Sequence, residues 1–471
     1  MRDFVTNAID PPLRNLLRRA PAACGPDEPV ARALRRMREL AIGSMIVVDA
    51  DRVPLGILTL RDVVDRIVME PGALDAPIGR VMSPRPVTLS LDSTAYSAAL
   101  AMIRHGVRHI VLVDGARLAG VVSERDLFGL QSTGIRHLSE AIRGAGDLPA
   151  IEQFGRDISD LGRKMLAQGT AVGPLTAFIA SLNDLLTQRI VELEFRNVAT
   201  RYCWILMGSE GRFEQTLLTD QDNGIIFAAE PGASVESTRA AILPIARRTN
   251  QALDRAGYRL CPGDIMAGNP QWALSLDEWR HKFERWIDTG SPEALLHGAI
   301  FFDLRPLQGD LALARELRAW LMQHAPRNPR FLHQMADNAL KNRPPLGLLT
   351  RFATGADGRV DLKLNGATLF VDAARIFSLA YGIDEVNTER RLRAAAPVLK
   401  VPQREAEAWI TAYYHIQGLR LRRQTECLQQ GLAPDNRIDP YALHEFDQRV
   451  LVAALKQARA IQARIAADYQ V

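Results

Sequence analysis

Four cysteines, Cys24, Cys203, Cys261 and Cys427, are all that 471 residues hold. Their wide separation leaves no paired spacing for a zinc site or a redox dithiol, and a reduced, cytoplasmic setting fits. Long apolar runs are missing too. No stretch approaches the ~18 uninterrupted apolar residues of a membrane span, and the opening MRDFVTNAIDPPLRNLLRRA places acids and prolines where a secretory segment needs an apolar core. No membrane partner is expected. Charge of one sign is also scarce: 58 Lys and Arg face 54 Asp and Glu, so nucleic acid is not an implied partner. Arg420, Arg422 and Arg423 fall in a helical pattern and read as a solvated face.

What is present describes a folded protein. Hydrophobic residues make up 47% and charged residues 24%, the profile of globular chains, and the length suggests about three domains. The first organising signal is repetition. GILTLRD starts at Gly56 and GVVSERD at Gly120, aligning Gly56 with Gly120, Thr59 with Ser123 and Asp62 with Asp126. Each copy runs helix (Val30 to Leu40; Ala95 to His105), apolar strand (Met45 to Val48; His109 to Val113), turn (Asp49 to Pro54; Asp114 to Arg117), second strand, helix. Neither copy could bury its sheet alone, so the two are expected to pack as a pair. His105 and His109 have an i, i+4 spacing, but Gly106 and the following strand argue against one helix carrying both to a metal.

From Leu13 to Gln131 this pattern resembles the CBS domain pair. The resemblance implies adenine nucleotides, AMP or ATP, as regulatory ligands, with Thr59, Asp62, Ser123 and Asp126 holding phosphate and ribose and Ile46 and Ile110 near the base. A carboxylate accepting two hydrogen bonds suits a ribose diol, and a hydroxyl can donate to phosphate. The same residues between a strand and a helix are also ordinary N-caps. The resemblance further implies a homodimer formed through the CBS domains.

Residues 138 to 200 shift to helical periodicity. Ile158, Leu161, Met165 and Leu166 form one stripe, and Ile179, Leu182, Leu185, Leu186 and Ile190 a second. Two helices are expected there as a connector, broken at Gly144 to Pro149 and Gly169 to Pro174.

The richest segment follows. Tyr202 to Met207 reads as a buried strand, Gly208 and Ser209 as a turn, Glu210 to Leu218 as a short helix, and Gln221 to Ala228 as a second strand. A strand, a glycine turn and a helix start make a phosphate-binding geometry. Asp220 and Asp222, two apart, project from one face and offer the oxygen ligands that magnesium takes. Two magnesium ions there would assist in-line transfer from a nucleoside triphosphate.

Gly-Ser, a short helix and Asp-x-Asp resemble the DNA polymerase β-type nucleotidyltransferases. GSEGRFEQTLLTDQDN, CPGDIMAGNPQW (Cys261 to Trp272) and FFDLRPLQGD (Phe301 to Asp310) are similar to the nucleotidyltransferases that accompany CBS pairs, relatives of the PII uridylyltransferase and the glutamine synthetase adenylyltransferase. The resemblance implies that Gly208, Ser209 and Arg212 bind the triphosphate and that Asp220 and Asp222 bind metal and are catalytic. Arg212 could instead form a structural ion pair with Glu214. A third carboxylate serves as base or ligand in such enzymes. Asp303, on a strand expected over Ala299 to Leu304, is the candidate, and Asp264, in a Gly-rich loop, the alternative.

Residues 311 to 471 read as mostly helical, with stripes Trp409, Tyr413, Ile416, Leu419 and Leu443, Phe446, Val450, Leu451 and a hairpin in Gly347 to Gly366. The relatives carry a substrate-binding domain here, toward whose cleft Lys363, Asn387 and Arg390 could point. The expected fold class is α+β multidomain: tandem CBS pair (13–131), helical connector (138–200), polymerase-β-like nucleotidyltransferase core (201–310) and C-terminal helical domain (311–471). The expected function is transfer of a nucleoside monophosphate to an acceptor hydroxyl, on a protein or a small molecule. The PII enzyme's His-Asp hydrolase has no counterpart, because no His-Asp dipeptide occurs. The alternative is a non-catalytic adenine-nucleotide sensor on the same fold.

Overall fold

The computed structural model describes residues 12–471 apart from 18–19, 68–71, 124–125, 127–131, 168, 218–219, 230–231, 291–297, 299 and 348–351. The opening segment to residue 11, Glu124 and Arg125 of the second repeat motif, Leu218, Ala299 and part of the Gly347 to Gly366 interruption therefore lie outside the described residues. The chain divides into two compact units, Met1–Glu140 and Ala141–Val471.

In the first unit each repeat builds its own small sheet. β1 (Ala23–Cys24), β2 (Ser44–Val48), β3 (Pro54–Thr59) and β4 (Ser83–Pro84) form one; β5 (Thr88–Ser90), β6 (His109–Asp114) and β7 (Arg117–Ser123) form the other. Helix α1 (Val30–Glu39) precedes β2 and α2 (Ala95–His105) precedes β6. A register shift between Val47 and Val48 recurs between Leu112 and Val113, so the repetition extends to the irregularity. Strand period two assigns the cores: Met45 and Val47 face their own helix with Val30, Ala33 and Met37, Ile110 and Leu112 do the same with Ala98 and Met102, and Ile46, Val48, Val111 and Leu118 meet in a cluster shared by both copies. That shared cluster is why the two are one unit. Gly106, in the left-handed conformation, ends α2 at His105, and His109 opens β6, so the two histidines share no helix face.

Helix α3 (Ser132–Gly144) spans the division between the units. In the second unit come α4 (Leu148–Ala167) and α5 (Val172–Phe195), then β8 (Tyr202–Leu206), α6 (Gly208–Gly211), β9 (Asn223–Phe227), α7 (Val235–Arg255), β10 (Ala273–Ser275), α8 (Leu276–Thr289) and β11 (Arg305–Gly309). The sheet order is β10-β9-β8-β11, with β10 parallel to β9 and the other pairs antiparallel. The two expected connector helices are α4 and α5, but α5 is no exposed linker. Leu175, Phe178, Ile179, Leu182, Leu186 and Ile190 are all buried, and α5 packs on α4, α7, β11 and the long C-terminal helix Gln403–Gln429. An apolar surface on nearly every side places such a helix inside a core.

The remaining elements are α9 (Leu311–His324), α10 (Pro329–Leu340), β12 (Val360–Asp361), a π-type turn Lys363–Ala367, α11 (Thr368–Tyr381), α12 (Thr388–Val398), α13 (Gln403–Gln429), β13 (Arg437–Ile438) and α14 (Glu445–Tyr469). Around the hairpin expected within Gly347 to Gly366, the described residues show an isolated antiparallel bridge between Leu346 and Phe352 and a turn at Gly355 to Gly358, while β12 joins β13 antiparallel. Trp409, Tyr413, Ile416 and Leu419 are core residues as expected, whereas Phe446, assigned to the second stripe, is 70% exposed. Among the described residues, no helix is long and apolar enough to cross a membrane.

Candidate active site

The Gly-Ser turn is shaped by what presses on it. Gly208 sits at φ +55°, where a side chain is strained, and a Cβ there would collide with the Asp222 carboxylate. At Gly211 a Cβ would strike the carbonyl of Asp303. The helix between them is a single turn, shorter than the expected Glu210 to Leu218, because Phe213 adopts φ +59° directly after it. Its terminal carbonyls are capped by Arg305, which donates to Glu210 O at 2.8 Å and Gly211 O at 3.1 Å, pairs with Asp184 at 2.7 Å and lies over the Phe213 ring at 3.7 Å. The Arg of the Asp-x-Arg motif thus holds the turn. The Ser209 side chain is half-buried, and its hydroxyl takes no partner among the described residues.

Asp220 and Asp222 do not lie on the strand, which begins at Asn223; Asp220 forms an isolated bridge with Arg259. The backbone nevertheless alternates. Gln221 and Asn223 point inward, where Asn250 donates to Gln221 Oε1 at 2.8 Å and to Asn223 Oδ1 at 2.9 Å. That leaves both aspartates on the other side. Asp220 is 38% exposed and pairs with Arg259 at 3.0 Å. Asp222 accepts a thiol hydrogen bond from Cys261 at 3.5 Å. Burial pushes the Asp222 carboxyl up to about 6, against the pull of that thiol, of Lys363 and of Arg212. Behind it, burial and then repulsion from Asp222 raise the Glu210 carboxyl well above its ordinary range.

Asp303 requires a correction. Residues 300–301 are helical and 302–303 form a turn, so the strand placed over Ala299 to Leu304 is absent; β11 starts at Arg305. Asp303 is fully buried, and three arginines take its oxygens: Arg212 at 2.6 Å, Arg375 at 2.7 and 3.0 Å, Arg391 at 2.5 Å. Burial works to raise this carboxyl, but Arg375, Arg391 and Arg212 overcome it and hold it far below the carboxylate range. Asp303 is thus the hub of a buried ion network rather than an open carboxylate. Asp264, the alternative, is exposed. At φ +53° its carboxylate accepts from Asn269 at 2.9 Å and its carbonyl accepts from the Trp272 indole at 2.9 Å, which ties its loop down. Among the described residues, no group of three or more His, Cys, Asp or Glu is placed to hold a metal.

Arg212, expected on phosphate, is engaged by Asp303 and by Glu214 at 2.7 Å. Glu214, itself buried, accepts from Asn387 at 3.2 Å and from the Thr388 amide at 2.6 Å. Asn387, the N-cap of α12, thus touches the motif from the C-terminal segment, while Arg390 is exposed. Arg420, read from the sequence as solvated, is buried (8% exposed), whereas Arg422 and Arg423 do reach solvent and pair with Asp447 and Asp435. The Arg212–Glu214 ion pair is the structural alternative expected from the sequence, whereas Cys261 and Arg305 were not singled out for their contacts, although both lie in segments that carried the resemblance.

In the first unit, Thr59 and Asp62 form a capping box at the start of the Leu60–Asp62 turn. Asp62 Oδ2 accepts from Thr59 N at 2.8 Å and Oγ1 at 2.6 Å, and its Oδ1 accepts from Ser83 Oγ at 3.0 Å. Ser123 and Asp126 repeat the inner contacts at 2.8 and 2.6 Å. Asp126 is exposed, and its Oδ1 has no partner among the described residues. Ile46 and Ile110 are fully buried.

A mixed four-strand sheet carrying a glycine turn against two carboxylates, beside a helical domain and preceded by a paired β-α repeat, defines a class: CBS-pair proteins with a nucleotidyltransferase-like domain. Comparison with family models agrees. Residues 13–69 and 78–132 match "CBS domain", residues 156–293 "Putative nucleotidyltransferase DUF294", and residues 329–469 "Putative nucleotidyltransferase substrate binding domain". The chain belongs to the CBS-pair proteins that carry a DUF294 nucleotidyltransferase domain and its C-terminal substrate-binding domain.

Among curated relatives, an uncharacterized protein of Methanopyrus kandleri is 29% identical over 120 residues, 25% of this chain and 61% of its own length. An uncharacterized 17.7 kDa protein of Acidianus ambivalens is 30% identical over 142 residues, 29% of this chain and 84% of its own. Two solved structures are similar. One is a CBS domain protein from Pyrobaculum aerophilum complexed with AMP, at 24% identity and TM-score 0.24, covering 26% of this chain and 92% of that one. The other is a CBS-domain protein from Agrobacterium tumefaciens at 29% and 0.23, covering 24% and 89%.

Proposed function

We propose that the chain is a cytoplasmic signalling enzyme that transfers a nucleoside monophosphate from a nucleoside triphosphate to an acceptor hydroxyl, in the manner of the uridylyl- and adenylyltransferases, under control of AMP or ATP bound to the CBS pair. The observation that carries this reading is the packing of Asp222 on Gly208, with Asp220 beside it: two carboxylates stand at a turn that only glycine permits. Magnesium is commonly held by one or two carboxylates together with substrate phosphates, so this donor set fits it. Asp220 and Asp222 would hold the ion, which supplies charge neutralisation at the phosphates when bound. The Arg259 ion pair with Asp220 must then open. In the transfer the acceptor hydroxyl gives up its proton to water as its oxygen bonds to the α-phosphorus, the bond from that phosphorus to the α,β-bridging oxygen breaks, and pyrophosphate leaves. The chain's part is chiefly to position these groups.

A second reading, nucleotide sensing without transfer, is favoured by one observation: the carboxylate expected to complete the site, Asp303, is locked among arginines. Pyrophosphate release and label incorporation from each of the four nucleoside triphosphates, with magnesium and cell extract as acceptor source, separate the two. Transfer that Asp220→Ala/Asp222→Ala abolishes supports the enzyme. Nucleotide binding with no transfer in either protein, across acceptor fractions, supports the sensor. The proposed CBS homodimer is tested by sedimentation.

A further inference from the structure

Resting on the transferase reading, we infer that Lys363 and Arg420, both from the C-terminal domain, form the seat for the pyrophosphate end of the nucleoside triphosphate. Arg420 is a buried cation held by neutral groups: it donates to Asn436 Oδ1 at 3.0 Å and to Gln417 Oε1. Among the described residues it pairs with no carboxylate within ion-pair distance, and neither does Lys363. Among the described residues, every other arginine this deeply buried is compensated. Arg212, Arg375 and Arg391 share Asp303, Arg305 meets Asp184, and Arg318 meets Asp384. A buried charge without a counterion is costly, and such costs are commonly kept where a ligand supplies the missing charge.

The location agrees. Lys363 starts the turn Lys363–Ala367, which packs on α13, with Gly366 close against Ile416 one turn before Arg420. Lys363 is solvent-exposed and within electrostatic reach of both Asp220 and Asp222, and Arg420 and Arg212 are its like-charged neighbours. The groups facing Arg420 are Tyr413, Asp361, Arg212 and Glu214. Of these, Glu214 is committed to Arg212, Asn387 and Thr388, and Asp361 Oδ1 accepts from the amides of Lys363 and Leu364 at 2.8 and 2.9 Å. Once metal occupies Asp220 and Asp222, Lys363, which lies near both, and Arg420 beside it are left without a partner among the described residues. A polyphosphate is the substrate fragment with enough charge to satisfy both, and its β- and γ-phosphates are the leaving group.

The test is calorimetric titration of the full-length protein with inorganic tripolyphosphate in EDTA, for wild type, Lys363→Gln, Arg420→Lys and Arg420→Gln. Lys363→Gln alters an exposed residue and leaves the fold intact; Arg420→Lys keeps the charge if Arg420→Gln fails to fold. The expected result is binding to wild type, weakened about tenfold or more by Lys363→Gln, and displacement of the tripolyphosphate by whichever nucleoside triphosphate the protein binds. No binding to wild type, or equal binding to wild type and Lys363→Gln, overturns the inference. Simultaneous binding of tripolyphosphate and nucleotide also overturns it, by moving the cations to an anionic acceptor. If tripolyphosphate binds wild type and is lost in Lys363→Gln while no transfer is ever seen, the transferase reading fails and this phosphate seat stands.

Discussion

Gly208 and Asp222 occupy each other's space: the carboxylate of Asp222 lies where a side chain at 208 would be, with Asp222 Cγ 3.2 Å from the position of a Cβ. The two halves of the motif, fourteen positions apart, are one steric object.

Gly208→Ala should therefore displace Asp222 as well as strain the backbone at φ +55°. A shift of about 1 Å at a catalytic group costs roughly 10²-fold in rate, and the strained alanine costs about 1–2 kcal/mol. Transfer assays together with thermal melts should show a rate loss far larger than the loss of folded protein. Transfer at the wild-type rate would refute the steric coupling.

Asp222 makes a prediction about pH. Its folded value of about 6 lies above the ordinary 3.8, so the folded chain holds this proton more tightly than the unfolded one. The stability it contributes is complete below about pH 4 and is lost as pH rises through 6. In metal-free buffer Asp222→Asn should gain on wild type between those limits and keep a constant advantage above them, while abolishing transfer. Urea denaturation of both proteins at pH 4.5 and 7.5 measures the difference, and an advantage that shrinks at the higher pH would show the sign to be wrong.

Asp303→Asn should behave in the opposite way. Breaking one partner out of a buried ion network costs about 3–5 kcal/mol, and here the change loosens three arginines at once. Denaturation midpoints should fall sharply, and transfer per folded molecule should fall only modestly. A stable but inactive Asp303→Asn protein would restore Asp303 to the chemistry.

The arrangement of this hub shows why it was hidden in the sequence. Arg212, Arg375 and Arg391 meet Asp303 across separations of 91, 72 and 88 residues, and nothing local marks such partners. The tandem repeat was legible because its spacing is a local pattern, and the Gly-Ser and Asp-x-Asp pair because turn chemistry is local too. The burial of Asp303 among arginines was not legible, because a conspicuous carboxylate beside an apolar run looks alike whether water or three guanidinium groups await it. Arg420 failed for a related reason. Helical periodicity places its neighbours Ile416 and Leu419 in the core but cannot show that Asn436, sixteen residues on, returns to cover the guanidinium.

Asn387 tests the contact between the motif and the C-terminal segment. Asn and Asp are comparable N-caps, so a cap alone predicts that Asn387→Asp is harmless and Asn387→Ala costs about 1 kcal/mol. Because the Asn387 amide donates to Glu214 at 3.2 Å, the aspartate would instead set two carboxylates together. Asn387→Asp should be the less stable variant in thermal melts; the reverse order would mean that only the cap matters.

The CBS repeats differ where the motif does not. Asp62 spends both oxygens on Thr59 and Ser83, whereas Asp126 has one without a partner among the described residues. Titration with AMP should lose about tenfold or more in affinity on Asp126→Asn, and Asp62→Asn should chiefly lower the melting temperature. Equal losses of affinity would show both copies to be occupied.

The Asp303 network also bears on how this protein can be inherited and cut. Family boundaries fall at residues 293 and 329, yet Arg375 and Arg391 lie beyond the second while Arg212 lies before the first, and Glu214 receives Asn387 and Thr388 across the same gap. A gene fragment ending between the two domains would leave Asp303 and Glu214 without most of their partners. Recombination that trades one domain for a foreign version must carry matching arginines along, so the pair should travel through evolution as a single heritable block.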